Sequence, residues 1–522
     1  MSRLGLVPVL ALAALVPAAA QQDINARIRE EVNERSQVMR TLHYLTDVYG
    51  PRVTGSPSLK AAGEWAVQTM GSWGMTNGRM EPWEFGHAGW TNERFSAHIL
   101  SPVKDQLIAE VLAWTPGLPA GSVRAHAFHL IPPDRTTPEQ LTAYLEGIKS
   151  QVQGRIVLAG ASVAAPVNLT PPAKRRDEAQ VRALFDPNGG GPGPGRGRGG
   201  STPPPPPPMS TAEIGRRIDQ FLVANGALIR INDARREHGQ IIAFDNRTFD
   251  LTRAVPTVVM RNEDFGRIAR ILADGTPVEL EIDIVNRIYP EGRTQYNAVA
   301  EIEGTDKRDE VIMIGGHLDS WQSATGATDN AVGCAVMMEV ARTLKALGVR
   351  PRRTIRVALW SGEEQGLLGS RAYVEQIFGS FESPKTAFGT LAAYLNLDSG
   401  TGRPRGANVF GPPEAAAVIR EILAPFSDLG VAGAYANRSR NIGGTDSTSF
   451  NNAGLPGINI VQDPIEYDTH THHTNLDTYE RVLESDVKAA TVVIAATVYE
   501  LAMRDQMLPR FSKAEMPPPV RR

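Results

Sequence analysis

The most informative feature of this chain is a set of short polar motifs that contain residues of the metal-ligand type. His317 begins the motif His-Leu-Asp-Ser-Trp, and Asp329 follows it twelve positions later. Further along come Ser-Gly-Glu-Glu at 361–364, Asn-Leu-Asp at 396–398 and His-His-Thr-Asn-Leu-Asp at 472–477. Two histidines and three carboxylates, with a spare glutamate beside a ligand glutamate, fit two zinc ions and a general base. The motifs therefore indicate a hydrolase rather than a simple binding protein.

Each candidate ligand group is preceded by a segment that is predicted to be a strand. His317, the glutamate pair and Asp398 come soon after short apolar runs, and His473 lies in a loop after the last run. The predicted strands are 311–316, 355–360, 392–397 and 458–461. Because ligands of open α/β sheets bind at the carboxyl ends of the strands, we expect four separate segments to converge on one rim.

The order of predicted elements from residue 295 onwards indicates an α/β fold. The run 310–316 is almost continuously apolar, as in a strand that is covered on both faces. Residues 331–347 repeat apolar positions at helical spacing, and 486–503 read as an apolar helix. This alternation predicts a largely parallel central sheet with helices on both faces.

Two further regions precede this one. Residues 24–95 predict helices, at 36–48 and 59–73, together with short strands. Residues 96–286 have a different pattern, in which strand-like pieces such as 155–159 alternate with loops. We therefore expect an α+β module inserted into the α/β domain.

The ordered motifs resemble those of a known family. The chain is similar to the co-catalytic di-zinc exopeptidases, the twenty-eighth metallopeptidase family, which includes bacterial leucyl aminopeptidases and plasma glutamate carboxypeptidase. The resemblance covers 24–95 and 287–505, which implies a discontinuous zinc peptidase domain. The inserted part, 96–286, resembles the protease-associated domain that interrupts many members.

The resemblance implies a role for each candidate ligand. His317 and Asp398 correspond to the ligands of one zinc ion, and Glu364 and His473 correspond to ligands of the other. Asp329 corresponds to the carboxylate that bridges them. A shared carboxylate can hold two cations about 3.5–4 Å apart, and a water bound between them becomes acidic.

The resemblance also implies roles for residues that do not bind metal. Glu363 corresponds to the general base, which suits a side chain next to the metals that does not coordinate them. Asp319 corresponds to a carboxylate that orients the imidazole of His317. Asp477 is expected to support His473 in the same way.

The candidate residues also have purely structural interpretations. Asp329 could cap the helix that follows, which is compatible with a ligand role, since Asp is a favoured N-cap residue. The glutamate pair 363–364 could be an exposed acidic pair in a first helical turn. Asp398 could be an ordinary turn residue. All five candidate ligands occur in the same order as in the family, which argues against the interpretation that all of them are purely structural.

Some choices near the last motif stay open. His470 and His472 are rivals of His473, which is preferred because it directly precedes Thr in the pattern His-Thr-x-x-Asp-Thr. Tyr467 could donate a hydrogen bond to the tetrahedral oxyanion, or could be a packed loop tyrosine. The segment 443–447 could line the substrate site, or could be only a flexible turn.

The start of the chain predicts a signal peptide at 1–20. Arg3 precedes an apolar run that ends in three alanines before Gln21. An uncleaved membrane anchor is the alternative, but the run is short and contains Pro8 and Pro17. No later segment is long and apolar enough to cross a bilayer, so we expect no membrane span after cleavage.

Composition agrees with an exported protein. The net charge of −3 gives no reason to expect nucleic acid or an anionic membrane surface as partner. Cys334 is the only cysteine, so no intramolecular disulfide can form, and we interpret it as a small core residue. These features are compatible with a bacterial periplasm or the extracellular medium.

The inserted region contains a low-complexity segment at 188–208. A glycine-rich run is followed there by six prolines, which predicts a disordered surface insertion. A ligand for a proline-recognising domain, or an RNA contact through Arg196 and Arg198, is the alternative. Two arginines are too few for an RNA site, so the first interpretation is preferred.

The sequence thus predicts an exported exopeptidase with two Zn²⁺ ions that acts on a peptide or dipeptide, with a possible homodimer. An aminopeptidase is the first choice, and a carboxypeptidase or dipeptidase is the alternative. Arg438, Arg440 and Glu466 lie in predicted loops and could decide which peptide terminus is bound. Two other classes also stay open: a glutaminyl cyclase-like acyltransferase with one zinc, and a non-catalytic receptor-like binding protein.

Overall fold

The computed structural model describes residues 23–165, 167–186, 208–441 and 443–519. The predicted signal peptide lies outside the described residues, as does the glycine- and proline-rich segment apart from Pro208. Within the described ranges, no helix combines the length and the apolar character that crossing a membrane requires.

The described residues form two eight-stranded sheets with surrounding helices. In chain order the strands are β1 (Thr76–Glu84), β2 (Gly89–Ser101), β3 (Asp105–Gln106), β4 (Ala109–Val111), β5 (Ser122–Leu130), β6 (Ile156–Ala159), β7 (Ile229–Asp233), β8 (Thr257–Met260), β9 (Glu279–Tyr289), β10 (Thr294–Ile302), β11 (Lys307–His317), β12 (Arg353–Trp360), β13 (Leu391–Asn396), β14 (Pro404–Phe410), β15 (Ala434–Asn437) and β16 (Gly457–Gln462). The α-helices are α1 (Ile24–Arg35), α2 (Val38–His43), α3 (Pro57–Ser72), α4 (Pro138–Val152), α5 (Glu178–Phe185), α6 (Thr211–Ala224), α7 (Asn262–Ala273), α8 (Val332–Ala346), α9 (Leu368–Ile377), α10 (Pro413–Leu423), α11 (Ser447–Asn452) and α12 (Glu484–Met503).

The first sheet has the strand order β1-β10-β12-β11-β13-β16-β14-β15. Its four central strands, β12, β11, β13 and β16, run parallel to one another. On one side β10 pairs antiparallel with β12, and β1 pairs antiparallel with β10. On the other side β14 pairs antiparallel with β16. The carboxyl ends of the four central strands therefore lie along one edge.

Helices cover both faces of the first sheet, which explains the continuous apolar run in β11. Ile312 and Ile314 point into the core shared with α1, α2, α3, α8, α10 and α12. Val311 and Met313 point into the opposite core, which contains residues of α9 and α11. The predicted α/β class with helices on both faces is confirmed, although the sheet is mixed outside its parallel centre.

The second sheet has the strand order β3-β2-β9-β5-β6-β7-β8-β4. Its strands lie between Gly89 and Tyr289, so the sheet begins and ends a few residues outside the predicted module 96–286. The helix α4 begins with a capping box, in which Thr137 and Gln140 satisfy each other's backbone N–H groups. Helices α4 and α6 share a small apolar core with β6.

Two short connections, 85–88 and 290–293, join the sheets. Beside them the backbone of Gly89, at the start of β2, lies against that of Gly55, and a Cβ atom on Gly89 would meet the carbonyl oxygen of Gly55 at 1.9 Å. Gly292 lies in the same contact, so these backbones leave no room for a Cβ atom. Trp83 and Phe85 extend the apolar core of the second sheet across this junction.

Candidate metal centre

The candidate residues lie where the central strands of the first sheet end. His317 is the last residue of β11, and Asp398 comes two positions after β13. The pair Glu363–Glu364 follows β12, and His473 lies in the loop after β16. Asp329 lies in the connection between β11 and α8. Parallel strand ends therefore bring all of these side chains to one edge, as the sequence predicts.

Asp329 lies at the middle of this cluster. Its Oδ1 atom is 3.1 Å from Nε2 of His317, and its Oδ2 atom is 3.2 Å from Nε2 of His473. On the first side, Oδ1 of Asp398 is 3.4 Å from the same nitrogen of His317. On the second side, Oε2 of Glu364 is 3.0 Å from Nε2 of His473. One carboxylate thus lies between two histidine–carboxylate pairs.

The chemistry of these side chains fits bound cations. His317, Asp329 and Asp398 offer ligand atoms that all lie within 4.8 Å of one another. Oδ2 of Asp329 and Oδ1 of Asp398 are buried, and apart from the histidine nitrogens that face them, no donor among the described residues hydrogen-bonds to either atom. A buried carboxylate oxygen without a donor is costly unless a cation compensates it. Imidazole nitrogen and carboxylate oxygen are ligands that zinc accepts.

Asp319 holds both His317 and the glutamate pair. Its main-chain oxygen is 3.0 Å from Nδ1 of His317, whereas its carboxylate lies 3.7 Å from that nitrogen. The carboxylate instead accepts hydrogen bonds from the backbone N–H groups of Glu363 and Glu364, each at 3.2 Å. The imidazole of His317 is therefore contacted by the main chain of Asp319, and the carboxylate predicted to orient it fixes the backbone of the glutamate pair.

Asp477 contacts the Asp329 segment, whereas the sequence-based expectation placed it beside His473. Its carboxylate accepts hydrogen bonds from the backbone N–H groups of Thr328 and Asp329, at 2.6 and 3.1 Å. Burial raises the pKa of Asp477 to about 7, and the charge of Asp329 acts in the same direction.

The structure shows that Asp329 does not cap helix α8. Helix α8 begins at Val332, and the first-turn N–H of Gly333 donates to the side chain of Asn330. The carboxylate of Asp329 is therefore left for the histidines.

Glu363 lines the cavity beside the cluster, as a base that contacts substrate must. Burial raises the pKa of Glu363 well above its usual value, and His317 opposes this effect while Asp398 adds to it. For His317, burial alone lowers the pKa, but the charges of Asp398 and Glu363 outweigh it and raise the pKa. The site therefore concentrates negative charge around one imidazole.

The loop after β16 separates the three candidate histidines. His473 contacts the cluster directly, and Nε2 of His472 is 3.8 Å from Oδ2 of Asp329. His470 instead lies 2.8 Å from the hydroxyl oxygen of Thr469. The ring of Tyr467 stacks on that of His472, at 4.6 Å between centroids, and Tyr467 lines the cavity. His473 lies nearer to Asp329 than His472 does, which favours it as the ligand, although all three residues offer ligand atoms within 4.8 Å of one another.

A cavity of about 570 Å³ opens beside these residues. Gly443, Gly444 and Thr445 line it, as one interpretation of 443–447 requires. Arg440 is buried and pairs with Glu382 at 2.8 Å.

The other two charged loop residues considered for binding a peptide terminus also have partners. Arg438 donates to the main-chain oxygen of Glu515 at 2.7 Å, and Glu466 pairs with Lys174 at 2.7 Å. Neither residue lines the cavity.

Two residues of the inserted region reach this site without any signal in the sequence. Arg176 lines the cavity, and the ring of Phe244 packs edge-on against that of His473, with centroids 5.3 Å apart. Both lie in loops more than two hundred positions from His473, with no motif around them. Only the contacts of these loops with residues at and after the end of β16 could have revealed them.

Comparisons with known proteins identify the domain that carries the cluster. Residues 297–498 match the sequence model of Peptidase family M28. Carboxypeptidase Q of Mus musculus is 32% identical over 256 residues, which are 49% of this chain and 52% of that protein. The alignment thus spans about half the length of this relative. The Homo sapiens protein of the same name is 25% identical over 491 residues, 94% of this chain and 90% of that protein.

Solved structures share the fold. A Peptidase M28 precursor from Shewanella amazonensis has a TM-score of 0.64 at 22% identity, covering 94% of this chain and 98% of that one. A zinc aminopeptidase from Bacillus subtilis has a TM-score of 0.55 at 16% identity, covering 91% and 97%. The predicted resemblance is confirmed, and with it the assignment to a family of metallo-exopeptidases. All five clustered residues lie inside 297–498, so the domain that carries the cluster is the part of this chain that matches Peptidase family M28.

Proposed function

We propose that this chain is an exopeptidase that would hold two zinc ions and that hydrolyses terminal peptide bonds with a water activated at that site. The observation that carries the proposal is the position of Asp329, whose two carboxylate oxygens face separate histidines. His317 and Asp398 would hold one ion, and His473 and Glu364 would hold the other. Bound zinc would lower the pKa of the water and polarise the scissile carbonyl group.

The protein's own side chains then carry the proton transfer. The carboxylate of Glu363 accepts a proton from the attacking water and returns it to the leaving amine. Asp319 keeps Glu363 in place through its hydrogen bond to the backbone of that residue. The hydroxyl of Tyr467, which lines the same cavity, donates a hydrogen bond to the oxyanion that forms at the carbonyl.

We further propose that residues 96–286 are a protease-associated domain inserted into a peptidase domain formed by 24–95 and 287–505. Its contact with the site supports a role in shaping substrate access. The side chain of Gln322 donates to the main-chain oxygens of Val111 and Ala243 in this region, at 2.9 and 2.8 Å.

The terminus at which the enzyme acts is part of the proposal. The sequence-based prediction favours an aminopeptidase. The curated relatives that align with nearly all of this chain carry the name carboxypeptidase Q, which supports the carboxyl-terminal alternative. We therefore propose a carboxypeptidase or dipeptidase. Export to a periplasm or the medium, after removal of residues 1–20, belongs to the same proposal, and a homodimer stays a prediction.

The purified chain tests this function directly. We expect two zinc ions per chain by elemental analysis, release of free amino acids from short peptides, and loss of this activity with a chelator that added zinc restores. A glutaminyl cyclase-like enzyme would instead bind one zinc and release ammonia from an N-terminal glutamine. A receptor-like protein would bind peptides without releasing amino acids.

A further inference from the structure

One loop of the second region crosses onto the first sheet and is fixed there by charged contacts. We call residues 174–178 the strap. Arg175 donates to the carboxylates of Asp463 and Asp486, at 3.2 and 3.0 Å. The main-chain oxygen of Lys174 accepts a hydrogen bond from Ile465 at 2.8 Å. The strap is therefore held at the carboxyl end of β16, on the same edge as the metal-binding side chains.

Arg176 lies in the middle of the strap. Its backbone N–H donates to Asp463 at 3.0 Å, and its Nε donates to the main-chain oxygen of Gln462 at 2.9 Å. The first bond fixes the backbone and the second fixes the guanidinium through Nε, and Arg176 lines the cavity that Glu363 and Asp398 also line. No hydrogen bond or ion pair to Nη1 or Nη2 of Arg176 is made by the residues that the structure describes. Nη1 and Nη2 of Arg176 are therefore available to bind another partner.

The charges around the cavity indicate what that partner is. Arg176 is the single lysine or arginine among the described residues that line it. The acidic side chains that line the cavity are the proposed zinc ligands Asp329, Glu364 and Asp398, together with Glu363 and the exposed Asp468. The planar guanidinium matches a carboxylate through two parallel hydrogen bonds, and it repels an ammonium group.

We propose that Arg176 binds the C-terminal α-carboxylate of the substrate, so that the enzyme releases the last residue of a short peptide. This inference rests on the proposed function, because the cluster at Asp329 must cut the bond next to the bound residue. A cavity of about 570 Å³ is of the size that holds a small ligand. The insertion thus supplies the specificity of a site whose chemistry the other domain supplies.

Three small substrates test the proposal: alanyl-leucine, its C-terminal amide, and alanyl-glutamic acid α-amide, which has its carboxylate on the side chain. The zinc-loaded wild-type enzyme should prefer the free acid. Arg176→Gln should lower kcat/KM for the free acid by about 30- to 300-fold, mostly through KM, because a desolvated charge pair is lost. For both amides kcat/KM should stay within about threefold of the wild-type value.

Two further variants separate recognition from a fold defect. Arg176→Lys should regain part of the preference for the free acid, since it keeps the charge but loses the fork. Lys174→Gln, in the same strap but paired with Glu466, should leave the preference unchanged. Melting temperature and zinc content should match wild type in all three variants.

The outcomes are distinguishable. Equal losses on the free acid and the leucine amide would overturn the assignment of Arg176, as would a wild-type preference for amides. A loss with the glutamyl amide as large as with the free acid would assign Arg176 to an acidic side chain instead. If the zinc-loaded wild type cleaves none of the three substrates, nor longer peptides, the proposed function itself is wrong.

Discussion

The carboxylate of Asp477 accepts a hydrogen bond from the backbone N–H of Asp329, at 3.1 Å between Oδ2 and N. A second bond, from Thr328 at 2.6 Å, fixes the same turn. One buried acid thus positions the backbone of the residue that lies between the two histidines. The position of Asp329 between the two proposed metal sites therefore depends on this backbone contact as well as on the Asp329 side chain.

Replacing Asp477 should therefore weaken zinc binding without removing a ligand. We expect Asp477→Ala to lower zinc affinity by about 10- to 100-fold, as losses of supporting groups around metal ligands do. A competition titration with a coloured chelator measures this. Asp105→Asn, on the exposed strand β3, is the control and should not change the affinity. A zinc affinity of Asp477→Ala equal to wild type would show that the turn holds its shape alone.

Glu363 should be needed for turnover and not for metal binding. Glu363 lies beside the proposed zinc ligands and is not one of them. The variant Glu363→Gln should therefore keep two zinc ions and lower kcat by about 10²- to 10⁴-fold. Elemental analysis and a peptide assay on the same sample give both values. Near-normal rates in Glu363→Gln would remove it from the role of base.

The two sides of the cluster should each hold one ion. We expect His317→Ala and His473→Ala to reduce the zinc content from two ions per chain to about one, because each removes a ligand of a different site. His470→Ala is the matched control, since His470 lies beside Thr469 and outside the cluster. Loss of both ions in each variant would mean that the sites fill only together.

Glu110 should make stability depend on pH independently of the site. Burial raises the pKa of Glu110, in β4, to about 7 from its ordinary value of 4.5. Below the ordinary value this carboxyl is protonated in both the folded and the unfolded chain, so it costs nothing. As pH rises from that value towards 7, the unfolded chain gives up the proton while the folded chain still holds it, and this destabilises the folded state.

Glu110→Gln should therefore raise the free energy of unfolding at pH 8 by about 1–3 kcal/mol and change it little at pH 4.5. Urea denaturation at both pH values measures the difference, and the low-pH pair of curves is the internal control. A gain of equal size at both pH values would show that the charge of Glu110 is not its cause.

Much of the site could be predicted from the sequence because it is built from strand ends. His317 and Asp398 directly follow apolar runs, and parallel strands place such positions together whatever the loops do. The choice of His473 also agrees with the geometry. These positions depend on local pattern and on a general property of α/β sheets.

Other parts could not be predicted because they depend on loop-to-loop packing. The partner of Asp477 is a turn nearly 150 positions earlier, and no periodicity reports such a contact. Arg176 reaches the cavity only because the side chain of Arg175 and the main-chain oxygen of Lys174 attach their loop to the end of β16. The candidates Arg438 and Arg440 lie closer in sequence to His473, but packing directs them to other partners.

The two short connections between the sheets give the inserted region an unusual place in the chain. Glu84, the last residue of β1, pairs directly with Thr294, the first residue of β10. The whole of the second sheet thus occupies the position of a hairpin turn between two antiparallel neighbours. Because the entropy cost of closing a loop grows only with the logarithm of its length, and this loop folds with its ends together, β1 and β10 can pair as though joined by a tight bend. The first sheet therefore keeps its strand order while carrying the second sheet at one turn.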